Sequence, residues 1–261
     1  MIGFNGGLIG AARETSVNQS VPGVWTPREQ LKAKRAGTWP VIINDPYFAN
    51  VSLLLRGDGT NGSTAIVDGS SSPKTITTYG NAQISTAQSQ YGGSSIYFDG
   101  AGDLLSAGAS SDFVLGTADF TVECWARISS VAYATIVTMT DVGITTDEWL
   151  LGFSNTANQM SFAINSSGQA IVGANYSSYY NIWTHIAACR SGSTLRLFFN
   201  GVQQASVTNT TNFSANKTLF FGRRYTDLST SVSNLNGYID DFRITKGVAR
   251  YTSNFTPPGA L

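Results

Sequence analysis

The chain has 261 residues, of which 12 % are charged, and its formal net charge is zero. Nucleic-acid binding and adhesion to anionic membranes need clustered positive charge, so neither is expected of the whole protein. Glycine is abundant at 27 residues and aromatics reach 11 %, the profile of a turn-rich β protein rather than a disordered chain.

The N-terminal stretch "MIGFNGGLIGAARE" has neither a basic n-region nor a full apolar h-region, so no signal peptide is expected. No apolar run is long enough to cross a membrane as a helix. The clearest helix signals lie in "VWTPREQLKAKRAGTWP". Thr26 is a candidate N-cap, Pro27 suits the first helical position, and Glu29 completes a capping box with Thr26. Gly37 and Pro40 end the element, which predicts a short helix over about residues 27–36. Its Arg28, Lys32, Lys34 and Arg35 form the positive cluster of the chain. Two readings stand side by side: a solvated helix on a flexible arm, or a docking peptide that orders on a partner through Trp25, Arg28, Lys32, Arg35 and Trp39.

From Val51 onward the chain reads as strands and turns. "VSLLLRG", "SSIYFDG" and "ADFTVECWARISS" come first, the last placing Phe120, Val122, Cys124, Ala126 and Ile128 on one face. "WLLGFSN" and "QMSFAINSSGQ" read as a hairpin. "NIWTHIAACRSGSTLRLFFNGVQQAS" gives two more, turning at Ser191–Ser193 and at Asn200–Gly201, a pair suited to positive φ. "KTLFFGRR" and "GYIDDFRIT" close the series. Uninterrupted alternation on the last strand places Tyr238, Asp240, Phe242 and Ile244 on one buried face. The following "KGVARYTSNFTPP" reads as a tail laid back over the domain through Val248, Tyr251 and Phe255. Many short strands with turn signals imply a sandwich. Cys124 and Cys189 sit in apolar runs and are expected to be reduced and buried.

A glycosidase needs two carboxylates facing one groove. Glu123 is isolated on its strand and reads as an outward polar residue, and His185, the sole histidine, reads as structural or surface. Calcium takes several oxygen ligands. Asp58, Asp68, Asp99, Asp103 and Asp240 lie beside glycine-rich turns or on the closing strand. A buried Asp240 must be paired, bound to metal, or hydrogen-bonded to backbone N–H groups, and both metal and backbone stay open. Tyr176 and Tyr179 in "ANYSSYYN", with Trp149 after a loop, are the candidate glycan-binding aromatics.

In order, "LLLRGDGTNGST", "SSIYFDGAGDLLS", "DFTVECWARI", "NIWTHIAACRSGSTLRLFFNGV", "LFFGR" and "GYIDDFRITKGVARYTSNFTPP" resemble the laminin-G-like, concanavalin A-like lectin/glucanase superfamily, in versions found in bacteriophage virion proteins. The resemblance implies an all-β, concanavalin A-like jelly-roll sandwich of two antiparallel sheets over residues 51–261, preceded by an extended arm over residues 1–50. The family's hydrolases carry an E-x-D-x-x-E strand, which this sequence lacks, so no enzyme is expected. Its calcium-bearing members use an aspartate on the closing strand, matched here by Asp240 or Asp241, together with groups near the first strand, matched by Asp58. The arm resembles leaders of structural proteins from cyanophages and marine phages. The resemblance thus implies a multi-copy virion protein, assembled in the host cytoplasm, whose arm docks on capsid, neck or tail proteins. Its sandwich would bind host surface polysaccharide. The rivals are a ligand-free decoration module and a glycan-degrading enzyme of the same fold. Trimers are common in phage appendages, yet no coiled-coil heptads support one here.

Overall fold

Strands form where apolar side chains alternate with polar ones, and turns where glycine or asparagine admits positive φ. The computed structural model describes residues 45–129, 134–141, 148–153, 158–164, 169–223 and 234–261. The helix expected over 27–36, with Trp25, Arg28, Lys32, Arg35 and Trp39, lies outside the described residues. In chain order come β1 (Val51–Leu55), β2 (Ile76–Tyr79), β3 (Gln83–Ser85), β4 (Ser95–Asp99) and β5 (Leu104–Ala107). Next are β6 (Phe120–Ile128), β7 (Thr135–Thr140), β8 (Trp149–Phe153), β9 (Gln159–Ile164) and β10 (Gln169–Asn175). The last five are β11 (Thr184–Ser191), β12 (Thr194–Phe199), β13 (Val202–Thr208), β14 (Thr218–Phe221) and β15 (Asn236–Lys246). Helix among the described residues is confined to short 3-10 turns.

The strands form two antiparallel sheets, the sandwich that the sequence predicts. One sheet has eight strands in the order β13-β12-β11-β6-β15-β4-β3, with β1 also paired to β15. The other has seven, in the order β10-β9-β8-β7-β14-β5-β2. Their facing sides share one core, to which β6 contributes Phe120, Val122, Cys124, Ala126 and Ile128 as expected. Asn200 and Gly201 turn β12 into β13 with φ of 48° and 77°. Cys124 and Cys189 are free and buried, as expected. They stand on opposite faces of the sheet, Cys124 in the core and Cys189 in a second apolar cluster with Ala187 and Phe198.

One expectation about β15 is overturned. Asp240 pairs with Trp125 of β6 but Arg243 pairs with Glu123, so three steps on β15 match two on β6. The extra residue is a bulge at Asp241, whose φ is +46°. It switches the side-chain pattern between faces. Ile239, Phe242 and Ile244 enter the core, while Tyr238 and Asp240 stand on the outer face. Asp240 therefore does not share a face with Phe242 and Ile244. The bulge also divides the strand's partners, since β4 pairs with Asn236–Ile239 and β1 with Phe242–Thr245.

The tail follows the expected course. Tyr251 and Phe255, with Ala249, pack on Ala187, Cys189 and Phe198 across the outer face of the eight-stranded sheet. Val248 is half-buried and contributes its carbonyl, which accepts from Thr121 Oγ1 at 3.1 Å. Leu261 returns to β1 and joins Val51 and Leu54 in a small apolar cluster.

Candidate functional site

Of the three aromatic residues expected on a glycan-binding surface, Trp149 and Tyr176 belong instead to the core and Tyr179 packs against it. Trp149 is fully buried and stacks on Phe162, with ring centroids 5.5 Å apart. Tyr176 is fully buried because its N–H donates to the carbonyl of Asn158 at 2.7 Å, which turns the ring inward against Phe153 and Phe199. Tyr179 is half-buried, its ring 5.2 Å from that of Phe199. The polar residues around them in sequence gave an impression of exposure that the folded chain does not keep.

The outer face of the eight-stranded sheet carries the chain's unusual chemistry, in three zones along the strands. The first lies under the tail. Glu123 is fully buried there, not a solvated outward residue. Arg243 donates to its Oε1 from Nε at 2.9 Å and from Nη2 at 2.8 Å. Tyr251 donates its hydroxyl to Oε2 at 2.7 Å, and His185 Nε2 stands 3.2 Å from that oxygen. Burial by itself would raise the Glu123 pKa. The Arg243 guanidinium, helped by His185 and Tyr251, more than reverses this and holds it at about 2. His185 is buried and structural, as one of its two sequence readings held. The cluster has the character of a clamp on the tail, and among the described residues no second carboxylate is paired with this group.

The second zone is acidic and sits at the bulge. Asp240 is 1 % exposed, and its Oδ2 accepts the N–H groups of Gln90 at 2.8 Å and Tyr91 at 3.1 Å. Its Oδ1 is buried with no partner. Gly57, at φ +73°, lets the backbone pass beside that oxygen; a Cβ there would lie 3.4 Å from it. Burial raises the Asp240 pKa to about 6 against the backbone N–H groups of Tyr91, Gln90 and Asp241, with Asp58 adding to the rise. Asp241 is raised to about 7, again by burial first, while its Oδ2 accepts the Leu261 N–H at 3.0 Å. Asp58 is exposed at the end of β1.

The other predicted ligands do not join this zone. Asp99 accepts the Ala101 N–H at 2.7 Å, and Asp103 accepts those of Asn81 and Asp99. Asp68 takes Leu54, Ser70 and Lys74 N–H groups and so pins a loop. Among the described residues no group of three or more metal-ligating side chains converges. What a cation finds here is one orphaned, buried carboxylate oxygen with a second, exposed carboxylate nearby. That fits a hard ion whose remaining ligands are carbonyls and water.

The third zone is the end of the face that the tail does not reach among the described residues. Gln83 pairs with Tyr97, Tyr97 with Tyr238, and Tyr238 with Arg127. Because Thr184 pairs with Ala126, Trp183 stands across from Arg127. All five side chains are half-buried. The rings of Tyr97 and Tyr238 are 4.9 Å apart and those of Tyr238 and Trp183 are 6.4 Å apart. Neighbouring strands lie ~4.8 Å apart, so the row from Tyr97 to Trp183 spans ~14 Å. In the adjacent row Trp125 meets Tyr91 edge-on at 5.9 Å. A flat strip of aromatic faces with polar groups between them presents apolar area and hydrogen-bonding edges together. The sequence reading passed over these residues. Alternation on "SSIYFDG" and "FTVECWARI" does set Tyr97 and Arg127 opposite core positions, but only the sheet order joins them.

A family model described as the concanavalin A-like lectin/glucanases superfamily (laminin-G-like) matches residues 99–250. No curated protein matches the chain significantly. Among solved structures, the chain is similar to that of botulinum neurotoxin type C, which depends on two ganglioside molecules to enter cells (TM-score 0.59, 17 % identity, 78 % of this chain and 50 % of that one). It is also similar to the binding domain of botulinum neurotoxin serotype D/C (0.56, 17 %, 77 % and 50 %) and to that of Paraclostridial Mosquitocidal Protein 1 (0.53, 16 %, 77 % and 49 %). The chain spans about half the length of these structures, and at such identity the likeness is one of fold.

Proposed function

This chain belongs to the concanavalin A-like lectin/glucanases superfamily, and from that premise we propose that it is a non-enzymatic carbohydrate-binding module whose ligand lies along the Tyr97–Tyr238–Trp183 row. The observation that carries the reading is that row itself: half-buried aromatic rings aligned across this end of the sheet. Sugar rings lay their C–H faces on such surfaces while their hydroxyls reach polar side chains at the edges. Binding to glycolipid is what makes botulinum neurotoxin type C a guide to the class of ligand to test first.

Affinity electrophoresis of the whole chain through polysaccharide gels tests this. Retardation is expected, and Trp183→Ala or Tyr238→Ala should weaken it about ten-fold, or ~1.4 kcal/mol, with the melting temperature unchanged. Unchanged binding by both variants places the site elsewhere and sinks this row as the site, and no retardation by any glycan favours a ligand-free decoration module. Release of reducing sugar would revive the hydrolase.

A second proposal concerns placement: residues 1–50 dock the protein on a bacteriophage virion, in several copies, leaving the sandwich to meet the host surface. It is supported by the resemblance of the arm to phage leaders. Incorporation into particles unaffected by deletion of residues 1–45 would refute it. A third is supported by the orphaned Oδ1 of Asp240. Asp240 and Asp58 hold a calcium ion, and Asp241 serves the tail instead. EDTA should then lower the melting temperature, calcium should restore it, and Asp240→Asn should be indifferent to both. A wild-type melting temperature unmoved by EDTA refutes the site.

A further inference from the structure

Arg127 sits in the middle of the aromatic row and is half-buried, yet its side chain makes no hydrogen bond or ion pair with any described residue. An arginine on a sheet face commonly buries its aliphatic stem and leaves its guanidinium to an acceptor or to a ligand. The same strand shows the case of an acceptor. Two rows away on the same face, Glu123 stands directly across from Arg243 and the two form a buried pair. Arg127 has no such neighbour. Across from it stand Tyr238 on β15 and Trp183 before β11, which flank the cation without neutralising it.

Neither Asp99 nor Asp240 of this face is paired with Arg127. Asp99 accepts the Ala101 N–H, and Asp240 those of Gln90 and Tyr91. An arginine whose sheet neighbours are aromatic, and whose planar donor fork has no partner among the described residues, can take a carboxylate or sulfate in two parallel hydrogen bonds.

We infer that the ligand of this row is an acidic saccharide, whose carboxylate or sulfate group is taken by Arg127 while flanking sugar rings lie on Tyr238 and Trp183. The inference rests on the carbohydrate-binding reading and deepens it by naming the class of sugar. Polygalacturonate presents the carboxylate, dextran sulfate presents the sulfate, and unmodified dextran is neutral. They share the anion chemistry and separate its two sources.

The test measures binding of the whole chain to these three polymers, alongside Arg127→Gln, Arg127→Lys and Trp183→Ala. Wild type should prefer at least one acidic polymer over dextran by ten-fold or more, with affinity falling as salt rises. Arg127→Gln should erase that preference. Arg127→Lys should restore only part of it, because an ammonium keeps the charge and loses the fork. Trp183→Ala should weaken binding as well. Melting temperatures of the variants confirm that the sandwich is intact. Equal binding of acidic and neutral polymers, or an undiminished acidic preference in Arg127→Gln, overturns the inference. If Arg127→Gln changes nothing while Trp183→Ala abolishes binding, the aromatic row stands as a site for neutral sugars. Failure of all three polymers to bind takes down both readings.

Discussion

Replacing Glu123 with glutamine should be among the most damaging single changes in this protein. The side chain is nearly isosteric, so no cavity forms; what is lost is the charge that faces Arg243. Arg243 is only 3 % exposed, and breaking a buried pair by removing one partner costs ~3–5 kcal/mol. The depressed Glu123 carboxyl points in the same direction. It is held at about 2, against an ordinary value of 4.5, a difference worth ~3 kcal/mol. A folded-state pKa that is depressed means stability fully present above the ordinary glutamate range and lost as pH falls from ~5 towards ~2. Urea unfolding should therefore show a Glu123→Gln midpoint reduced by the equivalent of ~3–5 kcal/mol with little change in slope. The variant should also lose much of the wild type's sensitivity between pH 5 and 2. Replacing both partners, as Glu123→Leu with Arg243→Met, should recover most of the loss, since neither charge is then buried. A single-variant loss below ~1 kcal/mol, the value of an exposed pair, or a double variant as unstable as the two singles added, would refute this account of the clamp.

Three further outcomes follow from the same geometry. Tyr251→Phe removes the hydroxyl that the tail donates to Glu123; it should cost ~1–2 kcal/mol and speed proteolytic trimming after residue 246. Gly201→Ala should cost ~1–3 kcal/mol and loosen the tail in hydrogen exchange. At φ +77° a Cβ would lie 1.9 Å from the carbonyl oxygen of Phe255. Arg190 is fully buried against the rings of Phe120 and Phe213 and donates to the carbonyls of Gly116, Ala118 and Thr211. Arg190→Met should cost ~2–4 kcal/mol and deprotect those loops, whereas an unchanged urea midpoint would show the guanidinium to be dispensable.

What could be read from the sequence was whatever depends on neighbours along the chain. Alternation in "FTVECWARI" assigned five residues to the core, and all five are there. The Asn200–Gly201 turn and the returning tail were equally local. What escaped depends on distance in sequence. Glu123 seemed isolated because its partners lie 62, 120 and 128 residues away. The aromatic row draws one residue from each of several strands, and no pattern in one segment announces it. Tyr176 failed as a site residue for a related reason: loop chemistry around it was polar, but its ring has core partners on β8 and β12. The bulge escaped because aspartate, not glycine, occupies the left-handed position.

That bulge makes β15 a strand read in two frames. Before Asp241, even-numbered residues face outward; after it, odd-numbered ones do. Each face can change its side chains without disturbing the other, yet the two are locked in phase by a single residue. Deleting Asp241 itself would restore one-to-one pairing with β6 and keep Phe242 and Ile244 inward, losing the kink and the carboxylate that accepts the Leu261 N–H, whereas deleting a residue beyond it would turn Phe242 and Ile244 away from the core. Point substitutions along β15 should thus be tolerated face by face. Away from the bulge, single-residue insertions and deletions should act like frameshifts in space, ruinous however conservative the residue gained or lost.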